Sequence, residues 1–453
     1  MEFYGRDQEL QLLDSIYSSS QEQARMTVIT GRRRVGKTRL IRRSLRGSTF
    51  LYFFLSRKEE PLLCQEFQEQ TERLLSVKII GSITRFSQLF EWLCVFAQTT
   101  HLNLVIDEFQ EFYRLNPAVY SEIQNHWDQY RGSMKMNLIL SGSIQSLMQR
   151  IFENYREPLF GRATAKIVLT PFTPGQLREL LRLHHPEFTA FDLLTFFTVT
   201  GGVPRYVEHF IDARSLAHDD FISAFLSDHS FFRDEGKALL LDEFGKDYGI
   251  YFSILSLIAS GKTDRGTITS TLQKDVGGHL NRLEKVYGII KAQRPMFSKP
   301  NSRNINFYIN DEFLRFWFRF IFKNQPPLEI GNYGYVRQVI DRDFSTFAGA
   351  SLEKFVRAEL AASGRYSHVG NYWEKGNQNE IDVIAYNELT KQALIGEVKL
   401  NDQKISLDKL RGKAEAVKRK LGGYDILFHG FGLESIVAPL TLDQPGETNT
   451  SPD

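Results

Sequence analysis

Residues Gly31-Arg32-Arg33-Arg34-Val35-Gly36-Lys37-Thr38 match the spacing G-x-x-x-x-G-K-[ST] in full. Each residue type has a task at that spacing. The glycines let the backbone turn so that its N–H groups face phosphates, the lysine reaches the β/γ oxygens, and the threonine hydroxyl ligates magnesium. Gly31 to Thr38, with Arg39 behind them, therefore form an expected ATP site that uses Mg2+. The basic run Arg32 to Arg34 could touch phosphate or be solvated, and both readings stay open. Phosphate chemistry also needs an acid at the end of an apolar strand, and Leu104-Val105-Ile106-Asp107-Glu108 supplies it. Asp107 would hold the magnesium ion through its water shell, and Glu108 would polarise the attacking water as general base. A further apolar run ends in Ser141-Gly142-Ser143. Ser141, preferred here to Ser143, could sense the γ-phosphate, with a helix N-cap as the competing role.

A second constellation lies near the C-terminus. Glu380-Ile381-Asp382-Val383-Ile384-Ala385 and Leu394-Ile395-Gly396-Glu397-Val398-Lys399 both read as strands, with a turn between them. Glu397 and Lys399 are two apart and share one strand face. Asp382 and Glu397 could hold a divalent cation, Lys399 could place an ammonium beside the attacking water, and Glu353 on the preceding helix could complete the cluster. Metal-assisted phosphodiester hydrolysis needs that arrangement. An exposed hairpin with surface charges is the plain alternative.

These side chains need a scaffold. Short apolar runs at Met26–Thr30, Phe50–Phe54, Leu102–Ile106, Asn137–Leu140 and Ala165–Leu169 alternate with helix-period segments. That is the pattern of an α/β fold with a parallel sheet. We expect an ATPase core over 1–174 and a helical lid over 175–245. A winged-helix module over 246–325 is expected from its order of three helices and a hairpin. In it Val276 to Val286 is the recognition helix, bearing His279, Asn281, Arg282 and Lys285. An α/β domain over 345–440 begins with a helix at Ser351–Ala362, and a polar, disordered tail follows over 441–453.

Composition narrows the class. The chain has 453 residues, a net charge of +2 and two cysteines, which neither demands nor excludes nucleic acid and leaves too few thiols for a disulfide framework. A cytoplasmic setting fits, and the N-terminal residues read as no signal peptide. The aromatic run Phe313 to Phe322 carries Arg315 and Arg319 and is too short for a bilayer, so it reads as a half-buried helix and no membrane partner is expected.

Residues 1 to 240 resemble the AAA-type branch of P-loop ATPases, in particular the archaeal and bacterial family near the STAND group. The marks are Phe3-Tyr4-Gly5-Arg6-Asp7-Gln8-Glu9-Leu10, the P-loop, Asp107-Glu108, the Ser-Gly-Ser turn and Gly201-Gly202-Val203-Pro204-Arg205-Tyr206. The resemblance implies that Phe3, Gly5 and Arg6 border the adenine and that Pro204, in the lid, packs near the nucleotide. It places Arg162 at the position of an arginine finger, with a structural arginine as the alternative, and it leaves a homo-oligomer open. Residues 345 to 435 resemble the PD-(D/E)XK restriction-endonuclease-like fold. Asp382, Glu397 and Lys399 fall on its core motif and Glu353 on its helix carboxylate, while Ile381 stands where a proline is usual. The expected function is an ATPase whose nucleotide cycle controls a nuclease-like domain that acts on DNA. The alternative is a nucleotide-switched signalling or scaffold protein in which that domain only binds.

Overall fold

The computed structural model describes residues 3–244, 248–299, 302, 304–374, 376 and 378–440; the expected tail at 441–453 lies outside them. The chain divides into two units that part between Pro171 and Phe172.

In the first unit five strands form one sheet: β1 (Arg25–Thr30), β2 (Leu51–Phe54), β3 (Leu102–Asp107), β4 (Met136–Gly142) and β5 (Ala165–Val168). Their order is β2-β3-β4-β1-β5, and each pairing is parallel. The strands read as near-continuous apolar runs because helices cover both faces. One face is an aromatic core in which Phe53 stacks on Phe67 at 4.3 Å and Phe86 meets Phe112 at 4.7 Å. On the other, Ile29, Val105 and Ile139 of the sheet pack with Leu40 and Ile41. β1 and β4 are neighbours, and the crossovers from their ends, β1 to β2 and β4 to β5, run in opposite directions. Ligands bind at such a switch point, outside the carboxyl ends of the strands.

The second unit opens with helices, among them Pro174–His184, Ala190–Thr200 and Pro204–Ala213. Thr173 and Thr189 cap the first two through their side chains. Three helices then lead to a hairpin: Tyr248–Ala259, Arg265–Leu272 and Gly277–Asn281, followed by β6 (Ile290–Gln293) and β7 (Asn306–Ile309). The expected helix Val276–Val286 is α-helical only to Asn281. It widens into a π-type turn over Arg282–Val286, closed by Tyr287 N–H donating to the Arg282 carbonyl at 2.9 Å. The run Phe313–Phe322 is more deeply buried than expected. Its cations survive there because each is paired: Arg315 with Glu312 at 2.9 Å and Arg319 with Asp343 at 2.7 Å. No helix among the described residues is long and apolar enough to cross a membrane.

The helix expected at Ser351–Ala362 begins much earlier, at Tyr333, and runs 30 residues. The Asn332 side chain accepts from Tyr335 N–H and starts it, and Val336, Ile340, Phe344, Phe347, Leu352 and Phe355 keep one buried stripe through residue 345. It leads into a four-stranded sheet of β8 (His368–Glu374), β9 (Gln378–Asn387), β10 (Gln392–Val398) and β11 (Asp425–Phe431). The order is β11-β10-β9-β8, parallel between β10 and β11 and antiparallel elsewhere.

Glu312 anchors this helix. It is buried and accepts from Ser351 Oγ at 2.7 Å, with Lys354 Nζ at 3.1 Å. Burial works to raise its pKa, but Arg315 and Lys354 outweigh burial and hold it at about 2, below the ordinary 4.5. A depressed carboxylate stabilises the fold fully above the ordinary value and loses that contribution as pH falls from about 4.5 towards 2. Glu312→Gln strands two cations, so we expect a loss of about 3–5 kcal/mol at pH 7 in urea unfolding. The deficit should shrink as the pH falls through that window; an unchanged midpoint would contradict this account.

Candidate functional site

At the end of β1 the chain makes two turns that need glycine. Gly31 has φ +149°, and a Cβ there would lie 2.6 Å from the Leu169 carbonyl oxygen; Gly36 has φ +96°. The helix Lys37–Ser44 starts immediately afterwards and points its N-terminus into the loop. Lys37 is buried and donates to the carbonyls of Gly31 at 2.7 Å and Arg32 at 3.2 Å. Burial lowers its pKa to about 8, against the pull of Glu108 and Asp107. Val35 is buried beneath the loop, whereas Arg33, Arg34 and Arg39 are exposed.

Asp107 ends β3 beside this loop. Its Oδ2 accepts from Thr38 Oγ1 at 3.2 Å and also from the Tyr52 hydroxyl, and its Oδ1 accepts from Glu108 N–H at 3.0 Å. Burial, then the bond to Asp107, raises the Tyr52 pKa and keeps the phenol a donor. A hydroxyl and a carboxylate that already face each other make an oxygen donor set that fits Mg2+. Thr38 and Asp107 are the residues that would hold it. Glu108 follows in a left-handed turn, φ 55°. Its Oε2 accepts from Gln110 Nε2 at 2.6 Å and from Ser143 Oγ at 2.7 Å. Of the two serines, Ser143 is the one that touches Glu108. Ser141 is fully buried, and its hydroxyl has no hydrogen-bond partner among the described residues.

Arg6, in a left-handed turn beside Gly5, donates to the Thr170 carbonyl and pairs with Glu9 at 3.3 Å. Phe3 packs against the core behind the loop. The segment from Phe3 to Arg6 thus meets the chain just after β5, where Leu169 also lines Gly31. Arg162 is engaged within its own unit, with Asp128 at 2.6 Å and the Pro158 carbonyl at 2.6 Å. Pro204 opens the helix Pro204–Ala213 of the second unit.

The C-terminal residues also converge. β9 and β10 pair from Asn387↔Gln392 to Val383↔Gly396, which brings Asp382 and Glu397 next along the ladder. Lys399 Nζ lies 3.0 Å from Asp382 and 3.7 Å from Glu397. Burial opposes its charge, but Asp382 and then Glu397 raise its pKa. Val398 N–H donates to Asp382, and Ser406 N–H to Glu397. Arg357 bonds the Glu353 carboxylate at 3.2 Å and the Asp382 carbonyl at 2.6 Å. Burial raises Glu353 to about 7; Arg357 opposes that, while Asp382 and Glu380 add to it. Among the described residues no three His, Cys, Asp or Glu side chains gather as a metal group. The oxygens of Asp382 and Glu397 have the right chemistry for a divalent cation, but the Lys399 ammonium stands between them and Arg357 holds Glu353. Sequence reasoning missed Tyr52, Gln110 and Lys413, the last 3.9 Å from Glu397.

A parallel sheet with a phosphate loop after the inner strand β1, and an acid after β3, two places along, defines a P-loop nucleotide-binding ATPase domain. Residues 3–210 match the family described as an ATPase domain predominantly from Archaea, and this segment is an ATP-binding ATPase domain. Residues 317–411 match a family of archaeal and bacterial proteins of unknown function. An uncharacterized protein of Methanocaldococcus jannaschii is 28% identical over 413 residues, covering 89% of this chain and 88% of the relative. The Walker-type ATPase of Pyrococcus abyssi is similar in fold, with TM-score 0.53 and 17% identity over 70% of this chain and 96% of that one.

The Ser143 hydroxyl fixes the direction of Glu108. Ser143→Ala should lower ATP turnover by about tenfold through misplacement of the carboxylate, while the ATP Kd stays within about twofold. Steady-state phosphate release and calorimetric titration check the pair of outcomes.

Proposed function

We propose that the first unit hydrolyses MgATP and that this cycle controls a PD-(D/E)XK-like, DNA-acting domain at the C-terminus. The Lys37 ammonium and the loop N–H groups would bind the triphosphate. Magnesium, held by Thr38 and Asp107, supplies charge neutralisation when bound. Glu108 accepts a proton from water as its oxygen bonds the γ-phosphorus, and the bond to the bridging oxygen breaks to release ADP. Phe3, Gly5 and Arg6 border the base, and Arg162 would act as a finger only after leaving Asp128.

The observation that carries the second half is the meeting of Asp382, Glu397 and Lys399 across β9 and β10. Lys399 is placed to stabilise charge on a phosphodiester oxygen or to orient water. The exposed Asn281, Arg282 and Lys285 of the winged-helix module would add phosphate contacts. A second reading has its own support. Arg357 and Lys399 already neutralise the carboxylates that a catalytic metal would use, as in a module that binds nucleic acid without cutting it.

Lys37→Ala should abolish nucleotide binding, and Glu108→Gln should keep the ATP Kd while slowing turnover by at least about a hundredfold. Wild-type turnover by Glu108→Gln would remove that residue from its role. With plasmid, ATP and Mg2+ or Mn2+, the wild type should nick DNA and Lys399→Ala should not. No cleavage under any of these conditions would sink the nuclease reading and leave the binding one.

A further inference from the structure

A cavity of about 660 Å3 lies within the second unit, between the β6–β7 hairpin, the helix Tyr333–Ala362 and β8. Its lining includes Glu353, Arg357 and the exposed Glu380. Glu380 stands near Asp382: desolvation, and then the charge of Asp382, raise its pKa. Asp382, Glu397 and Lys399 do not line the cavity themselves, but its lining residue Arg357 donates to the Asp382 carbonyl at 2.6 Å and so links the two.

Its lining is chemically mixed. Arg315, Arg319, Lys354 and Arg357 line it but are each paired with a carboxylate, at 2.7–3.2 Å. Lys291 of β6 is exposed and has no ion pair among the described residues. Tyr308, half-buried and opposite Lys291 in the hairpin, lines it too, as do the amides of Gln293 and Asn371. A flat apolar ring suits stacking of a base, amides suit base edges, and a lone cation suits a backbone phosphate. The volume falls in the range of about 300–1,000 Å3 that takes compact ligands. A paired, stacked duplex offers no free base face to such a ring, so an unpaired strand fits it better.

The hairpin that makes one wall is fixed in place. Met296 N–H donates to the Asn371 carbonyl at 2.9 Å, and Phe297 stacks on Tyr386 at 5.6 Å. Met296 and Phe297, just after β6, are thus spent on the C-terminal sheet, while Lys291, Gln293 and Tyr308 of the hairpin line the cavity.

We propose that this cavity receives a segment of single-stranded polynucleotide and leads one phosphodiester to Asp382, Glu397 and Lys399. The inference rests on the reading of those three residues as a phosphodiester site. The hairpin then acts as a wall that selects an unpaired strand, and Lys291 contacts a backbone phosphate.

The full chain tests this by fluorescence anisotropy without divalent metal, using labelled single-stranded DNA, single-stranded RNA and duplex DNA of one sequence. A single strand should bind at least about tenfold tighter than the duplex, and the tighter of the two single strands identifies the sugar. Lys291→Glu should weaken that binding by about tenfold, and Lys291→Ala should lower the salt slope by about one. Lys420→Glu, exposed and outside the cavity, should leave it unchanged. Equal affinity for duplex, or a Lys291→Glu affinity equal to that of Lys420→Glu, overturns the proposal. Strands that bind in this pattern but are never cut defeat the catalytic reading and leave the cavity assignment standing. Cleavage that persists in Lys291→Glu with unweakened binding defeats the cavity assignment alone.

Discussion

The Lys37 ammonium is buried where β1 ends, and the carbonyl oxygens of Gly31 and Arg32 solvate it in place of water. Phosphate oxygens can replace those carbonyls. The rest of the first unit serves this placement. Gly31 must press against the Leu169 carbonyl for the loop to curl over the lysine, which requires β5 on one side of β1. β4 on the other side and β3 beyond it bring Ser143 and Asp107 to the same edge. Asp107 and Glu108 oppose the loss of charge that burial imposes on Lys37, so acid and base support each other before any ligand arrives.

The C-terminal end solves a similar problem with charged side chains and two backbone N–H groups. Asp382 and Glu397 are both buried and share Lys399, while Arg357 ties Glu353 to the backbone of Asp382. The helix Tyr333–Ala362 holds both systems. Ser351 and Lys354 lock it to Glu312, and Glu353 and Arg357 face the sheet site and the cavity. Structure and chemistry thus share a few turns of one helix.

Local spacing made much of this legible. The phosphate loop, the Asp-Glu pair and the Glu-x-Lys strand are short motifs whose residues act near one another in sequence. The strand order was not legible, because β1 pairs with β4 and β5 across more than a hundred residues. Sequence alone puts Ser141 and Ser143 after the same apolar run, whereas β4 extends to Gly142. Ser141 therefore stays inside the sheet while Ser143 turns towards Glu108. Tyr52 read as core within an apolar run, and only the parallel pairing of β2 with β3 brings its hydroxyl to Asp107. Gly334 and Gly349 weaken the helix propensity of the segment before Ser351, by about 1 kcal/mol each relative to alanine. The buried stripe from Val336 onward overrides that cost.

The central claim is that the oxygens gathered at the ends of β1 and β3 bind a magnesium-bound triphosphate for hydrolysis. Phosphate release by the full chain at saturating ATP, titrated with Mg2+, tests it most directly against Asp107→Asn. The account predicts Mg2+-dependent release by the wild type, and for the variant a requirement for at least about tenfold more Mg2+ or no release. Metal-independent release, or superimposable Mg2+ titrations of the two proteins, would contradict it.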